Sequence, residues 1–182
     1  GAVTPLFNGA NIMEEKDFSE NDEAKVSGLP EELTTEYYVE VVKLLEKLEN
    51  AENKNEYLHV LEDLKEKKAE LDKIKKEIKA LNKDIVEKLY PFNDLSIKDK
   101  EVVEGIFNRF EQLSAYDQQQ ILNNEDVKKS KTQIDNLIRA RNITIVLGTL
   151  ALVLAGGIIW RMRQRKAKRK LEWQTDYNGE RK

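Results

Sequence analysis

Between Ile143 and Trp160 the chain reads ITIVLGTLALVLAGGIIW, eighteen residues without one charged side chain. Coiled as an α-helix this run is about 27 Å long, close to the roughly 30 Å of a bilayer's hydrocarbon core. Its ends carry the right chemistry: Asn142 and Arg141 on one side, an interfacial aromatic and a cation, Trp160 and Arg161, on the other. A buried core helix is the competing reading. The adjacent Gly156 and Gly157 and the seven Lys/Arg in the next ten positions argue against it. The run therefore predicts a transmembrane helix over 142–160.

Charge divides sharply at this helix. Residues 161–182 contain nine basic and three acidic side chains, a net +6; the remaining 22 basic and 31 acidic residues lie before Ile143 and sum to −9. Within ten residues of the run, seven Lys/Arg follow it and only Arg139 and Arg141 precede it, although a twenty-residue window narrows this to seven against five. Positive residues near a span stay on the cytoplasmic side, so the bias predicts a cytoplasmic tail over 161–182 and an acidic body outside. The cations Arg161, Arg163, Arg165, Lys166, Lys168, Arg169 and Lys170, with Arg141 and Trp160, form the expected membrane interface. Its partners are the bilayer and anionic headgroups, each cation contributing on the order of 1 kcal/mol near the surface. Nucleic acid is a poorer fit to a basic run that abuts an apolar span. The chain opens at Gly1 with no apolar targeting segment before the body, which predicts an N-terminus made by processing or by deliberate truncation.

Within the apolar run, Ala151 and Ala155 form a small-x-x-x-small pair that suits helix dimerisation, while Gly156-Gly157 suits a kink equally well. A Gram-positive sorting signal would need an L-P-x-T-G pentapeptide upstream; Leu29-Pro30-Glu31-Glu32-Leu33 shares only its first two letters.

The body belongs to a chain that is 36% charged, with three prolines and no cysteine, which points to long solvated helices. Residues 1–28 lack a sustained period and read as a disordered linker or the end of a missing module. Over 29–90 a helical hairpin is expected: a first helix near 30–50 with Tyr38, Val41, Leu45 and Leu48 on one face, then one long helix from about Asn53 to Tyr90. In that second helix Tyr57, Leu64, Leu71, Ile78 and Ile85 recur every seven residues, and Val60, Lys67, Ile74, Leu81 and Lys88 follow each by three. This is a coiled-coil-like seam, interrupted by two lysines. A small helical bundle over 77–141 shares the end of the long helix. Ser96 with Asp99, and Ser114 with Asp117, mark two helix starts, and Asn124 is placed to cap a last helix with Glu125 and Asp126 in its first turn. Val102 or Val103, Ile106, Phe107, Phe110 and Leu113, then Tyr116, Ile121 and Leu122, then Val127, Ile134, Leu137 and Ile138 supply apolar faces. The fold class is all-α.

Little in the chain suggests catalysis. With one histidine, His59, and no cysteine, thiol chemistry and any two-histidine mechanism are excluded. The carboxylate pairs Glu31/Glu32 and Glu62/Asp63 sit among lysines on helix faces, where solvated i,i+4 ion pairs are the default. No phosphate loop, HExxH or calcium-loop spacing occurs, so no catalytic, cofactor or metal residues are expected. Asn142-Ile143-Thr144 matches a glycosylation sequon, but its place at the membrane boundary argues against modification there.

The run from Leu95 to Glu104 (LSIKDKEVVE), with Phe110-Glu111-Gln112-Leu113-Ser114 and Gln118-Gln119-Gln120-Ile121-Leu122-Asn123, resembles a small helical module of Gram-positive, clostridial-type cell-surface proteins. The resemblance covers about 77–140. Tyr90-Pro91 stands where that module has Leu-Pro, and Phe110 where it has Tyr. It implies a stacking extracellular spacer. The resulting expectation is a membrane-anchored helical stalk that presents an N-terminal partner module, with a protein partner on the helical surface possible. The alternative is a single-pass envelope sensor whose basic tail signals in the cytoplasm.

Overall fold

The computed structural model describes residues 16–180. Every regular element among them is helical: α1 (Glu20–Ser27), α2 (Tyr38–Glu49), α3 (Leu58–Lys88), α4 (Lys100–Glu111), α5 (Ala115–Gln118) and α6 (Asn124–Gly179), with short 3-10 turns before α2, α3 and α4.

The heptad-spaced residues of α3 drive its packing. Leu64 and Leu71 sit in an upper core with Phe18, Val26, Val41, Leu45 and Leu48. Ile78, Leu81 and Ile85 sit in a lower core with Val103, Ile106, Phe110, Val127 and Ile134. Ile74 packs against both clusters. At helical rise α3 is about 46 Å long, and it is the shared wall of two lobes: α1 and α2 close the upper one, α4 and α6 the lower.

The two seam lysines do not interrupt these cores. Lys67 reaches back to Asp63 at 2.9 Å, and Lys88 to Asp84 at 3.1 Å, so the long stems lie at the edge of the cores and each ammonium group has a carboxylate partner one turn back. Arg109 at the end of α4 spans two turns of α3, with Nε 2.6 Å from Glu77 and Nη1 2.5 Å from Asp84. These contacts lower the Asp84 pKa and raise that of Arg109. A planar guanidinium can hold two carboxylates at once, which a lysine cannot do with the same geometry.

Several expectations change. Of the predicted linker, 1–15 lies outside the described residues, but the rest is structured: Phe18 is 1% exposed and α1 follows it. A capping box at Ser19 and Asp22 starts this helix, and Lys47 of α2 holds Asp22 at 2.6 Å. Two apolar anchors in so short a segment leave no period to detect. The helix expected near Leu29-Pro30 begins at Tyr38, after a 3-10 turn at Thr35–Tyr37, and the long helix spans 58–88 instead of 53–90. Asn124 is not the cap of the last helix. Asn123 occupies that position in the left-handed region (φ 58°) and makes no side-chain capping bond. The short helix α5 ends before Ile121, and only Ile121 of the expected face is buried; Tyr116 and Leu122 are exposed. Of the two adjacent valines it is Val103 that enters the core.

Candidate membrane interface

The apolar run is not a separate element. It is the middle of α6, a helix of 56 residues, about 84 Å at helical rise. The stretch before Arg139 belongs to the lower lobe: Val127, Ser130 and Ile134 are buried, and Leu137 and Ile138 pack at the core's edge. Lys131, beside Glu104 at 3.6 Å and Asp135 at 2.6 Å, ties the same stretch to α4. From Arg139 to Glu180 every residue is exposed.

No helix breaker lies between Ile138 and Ile143, and the ladder continues through Arg139, Ala140, Arg141 and Asn142. Among the described residues this is the helix long and apolar enough to cross a membrane. The run's two hydroxyls are satisfied within the same helix: Thr144 donates to the Ala140 carbonyl at 2.9 Å, and Thr149 to that of Ile145. That matters in hydrocarbon, where an unpaired polar group costs several kcal/mol. The helix passes through Gly156 and Gly157 as unbroken α-helix, and a methyl group added at Gly148, Gly156 or Gly157 would meet open space.

The predicted interface residues fall at the two ends of the run. Arg141 is exposed above it; Trp160, 64% exposed, closes it below. Beyond lie Arg161, Arg163, Arg165, Lys166, Lys168, Arg169 and Lys170, all exposed on the same helix. At 100° per residue these seven cations spread over about 220° of the circumference and leave an uncharged face of about 140° centred on Trp160, Gln164, Ala167 and Leu171. The tail's helical continuation lies beyond what the sequence reading predicts, though the absence of Pro and Gly from 158–178 is a usable signal. Further along, Trp173 stacks on Tyr177 with ring centroids 5.7 Å apart, an i,i+4 pair that adds an aromatic patch to a basic helix.

No family model matches the chain, and neither curated proteins nor solved structures yield a match.

The remaining charged clusters serve packing. Among the described residues no group of three His, Cys, Asp or Glu is placed to hold a metal ion. His59 is exposed on α3 with its Nε2 3.3 Å from Glu23. The two buried carboxylates, Asp22 and Asp117, each join separate elements. Asp117 accepts from the Thr35 backbone N–H at 3.0 Å, the Thr35 hydroxyl at 2.5 Å and the Ser114 hydroxyl at 2.8 Å. Burial alone would push the Asp22 carboxyl up, but the Lys47 ammonium and the N–H and hydroxyl of Ser19 overcome it and hold the pKa at about 2.

Proposed function

We propose that this chain is a membrane-anchored helical stalk of the Gram-positive surface type. In this reading its body lies outside the cell, 143–160 crosses the bilayer, and 161–182 lies in the cytoplasm. The observation that carries the reading is the continuity of α6, which joins the lower lobe, the apolar run and the basic segment in one helix. A flexible tether would anchor a body without orienting it. A helix that is also a wall of the core transmits its direction to the body, and α3 carries that direction on to the upper lobe.

The work assigned to the body is mechanical: it sets reach and stiffness for a module carried at its N-terminal end. Support comes from the way charges are used. Arg109 with Glu77 and Asp84, Lys47 with Asp22, and Asp117 with Thr35 all join one helix or turn to another. The reading includes no catalytic role and no cofactor. The resemblance of 77–140 to surface-protein spacers points the same way.

Topology is the direct test. The chain contains no cysteine, so Asn55→Cys in the upper lobe and Gln174→Cys in the tail each create a unique thiol. In intact cells of a Gram-positive host, a membrane-impermeant maleimide should label position 55 and reach position 174 only after permeabilisation. The reverse pattern sinks the proposal. A sensor is the second reading, favoured by the extension of α6 to Gly179. Exchanging 171–182 for an unrelated polar sequence leaves a stalk intact and abolishes a sensor's output.

A further inference from the structure

The level of the lower lobe's underside is fixed by its register on α6. Lys128 Nζ lies 5.7 Å from the centre of the Phe110 ring, and Lys131 Nζ lies 3.6 Å from Glu104, so α4 runs antiparallel to α6. Following that register brings the 3-10 turn Ile97–Asp99, which contacts α6, to the level of Ile138. α3 is antiparallel to α4 in turn: a short connection joins the end of α3 at Lys88 to the start of α4 at Lys100, and Arg109 near the far end of α4 lies back beside Glu77 and Asp84. The chain therefore reverses between Leu89 and Leu95 at this same level. Phe92, Leu95, Leu137 and Ile138 accordingly pack on one core.

Ile138 is the last α6 residue packed on the body, and the apolar run begins five residues later, at Ile143. Five residues of helix rise about 7 Å. A bilayer's headgroup layer adds roughly 5–7 Å beyond the hydrocarbon on each side. With the run seated in hydrocarbon, the reversal meets headgroups.

Its exposed chemistry fits that position. Tyr90 is 67% exposed and meets Phe92 edge-on at 6.5 Å; Pro91 is exposed beside it, and Val86, one turn back on α3, is 54% exposed. Exposed apolar side chains scattered singly need no explanation. Tyr90 and Pro91 adjoin in the chain, Val86 lies one turn back, and by the register above they lie at one end of the body, near the level at which α6 leaves the core after Ile138 and exposes Arg139. Tyrosine, with an apolar ring and a polar tip, is enriched where one end of a side chain is wet and the other is not.

We propose that the Tyr90-Pro91-Phe92 reversal is a second membrane contact, seated in the headgroup layer beside α6. One helix alone leaves the body free to tilt about its exit point; a second contact restricts that tilt and gives the stalk a preferred lean. The inference rests on the reading of 143–160 as a span, and the partner it requires is lipid rather than protein.

The test uses the full chain reconstituted in vesicles of phosphatidylcholine and phosphatidylglycerol. Three single-cysteine variants, Asn93→Cys, Leu150→Cys and Asn55→Cys, carry an environment-sensitive fluorophore. Quenching is compared between lipid bearing a nitroxide on the headgroup and lipid bearing it deep in the acyl chain. The label at position 150 should be quenched by the deep nitroxide, and the label at 93 several-fold more strongly than that at 55 by the headgroup nitroxide. Equal quenching at 93 and 55, with 150 quenched, overturns this contact and leaves the span standing. No quenching at 150 overturns the span and the contact with it. A label at 93 that is shielded from water yet untouched by either nitroxide identifies a protein neighbour and overturns the lipid assignment.

Discussion

Thr35 and Asp117 lie 82 positions apart, yet Asp117 accepts both the backbone N–H of Thr35 at 3.0 Å and its hydroxyl at 2.5 Å. Gln120 adds a further bond to the same hydroxyl. Thr35 opens the turn into α2 in the upper lobe, and Asp117 belongs to α5 in the lower one. The link connects the two lobes at a second place besides α3. Asp117 is 1% exposed, so removing it leaves the Thr35 donors without a partner. Asp117→Ala should destabilise the chain by about 2–3 kcal/mol, within the range for losing hydrogen bonds to a charged acceptor. Thr35→Val, which keeps the backbone bond, should cost about half as much. Urea unfolding of the full chain in detergent, followed by tyrosine fluorescence, measures both; equal losses would mean the hydroxyl carries the whole link.

Asp22 predicts a pH dependence with a definite sign. Its pKa is lowered to about 2 in the folded protein, against about 3.9 in an unfolded chain. A depressed carboxylate contributes stability that is fully present above the unfolded value and lost as pH falls through the folded one. The window is therefore roughly pH 4 to pH 2. Near neutral pH the shift corresponds to about 2–3 kcal/mol. Asp22→Asn should forfeit that amount at neutral pH, and the difference from the parent chain should close on acidification through the window. A gap that stayed constant down to the acid end would show that the loss came from packing rather than from the Lys47 pair.

Three helix starts use one device. Ser19 with Asp22, Ser96 with Asp99 and Ser114 with Asp117 each pair a hydroxyl that accepts from a first-turn backbone N–H with a carboxylate three residues on. Replacing such a serine by alanine costs about 1 kcal/mol. The cost should rank with burial of the partner. Ser96→Ala, on a solvated turn, should be mildest; Ser19→Ala and Ser114→Ala, whose carboxylates are buried, should be larger. Thermal unfolding of the three variants side by side gives the order, and Ser96→Ala as the most damaging would contradict it.

That recurrence also explains what is legible in the sequence. Leu64, Leu71, Ile78 and Ile85 stand out because a regular period among lysines and glutamates is an uncommon pattern, and all four are buried. Phe18 and α1 offer no period, since eight residues complete little more than two turns. The Ser19-x-x-Asp22 spacing is visible, and is the same signal that places starts at Ser96 and Ser114. The Thr35–Asp117 link has no local signature, because its partners meet only once α3 and α4 have brought two lobes together. The candidate interface divides the same way. The ends of the apolar run are written in its flanking residues, whereas the level of Tyr90 beside it depends on three helices packed in register.

Orientation supplies the remaining prediction. Seven cations follow the apolar run within ten residues and two precede it. If that asymmetry sets the topology, replacing Arg161, Arg163, Arg165, Lys166, Lys168, Arg169 and Lys170 by glutamine leaves Arg139 and Arg141 as the cations nearest the membrane. The bias then reverses. A substantial fraction of chains should insert with the body inside, and in the Asn55→Cys background that fraction should resist an impermeant maleimide until the cells are permeabilised. Glutamine is a fair helix former, so α6 should persist and the change should act through charge. Restoring the cations nearest the span, Arg161, Arg163 and Arg165, should recover more of the original orientation than restoring Lys168, Arg169 and Lys170, because the effect weakens with distance from the helix end. Unchanged labelling in the seven-fold variant would assign control of topology to the folded body, with the basic segment left to bind lipid.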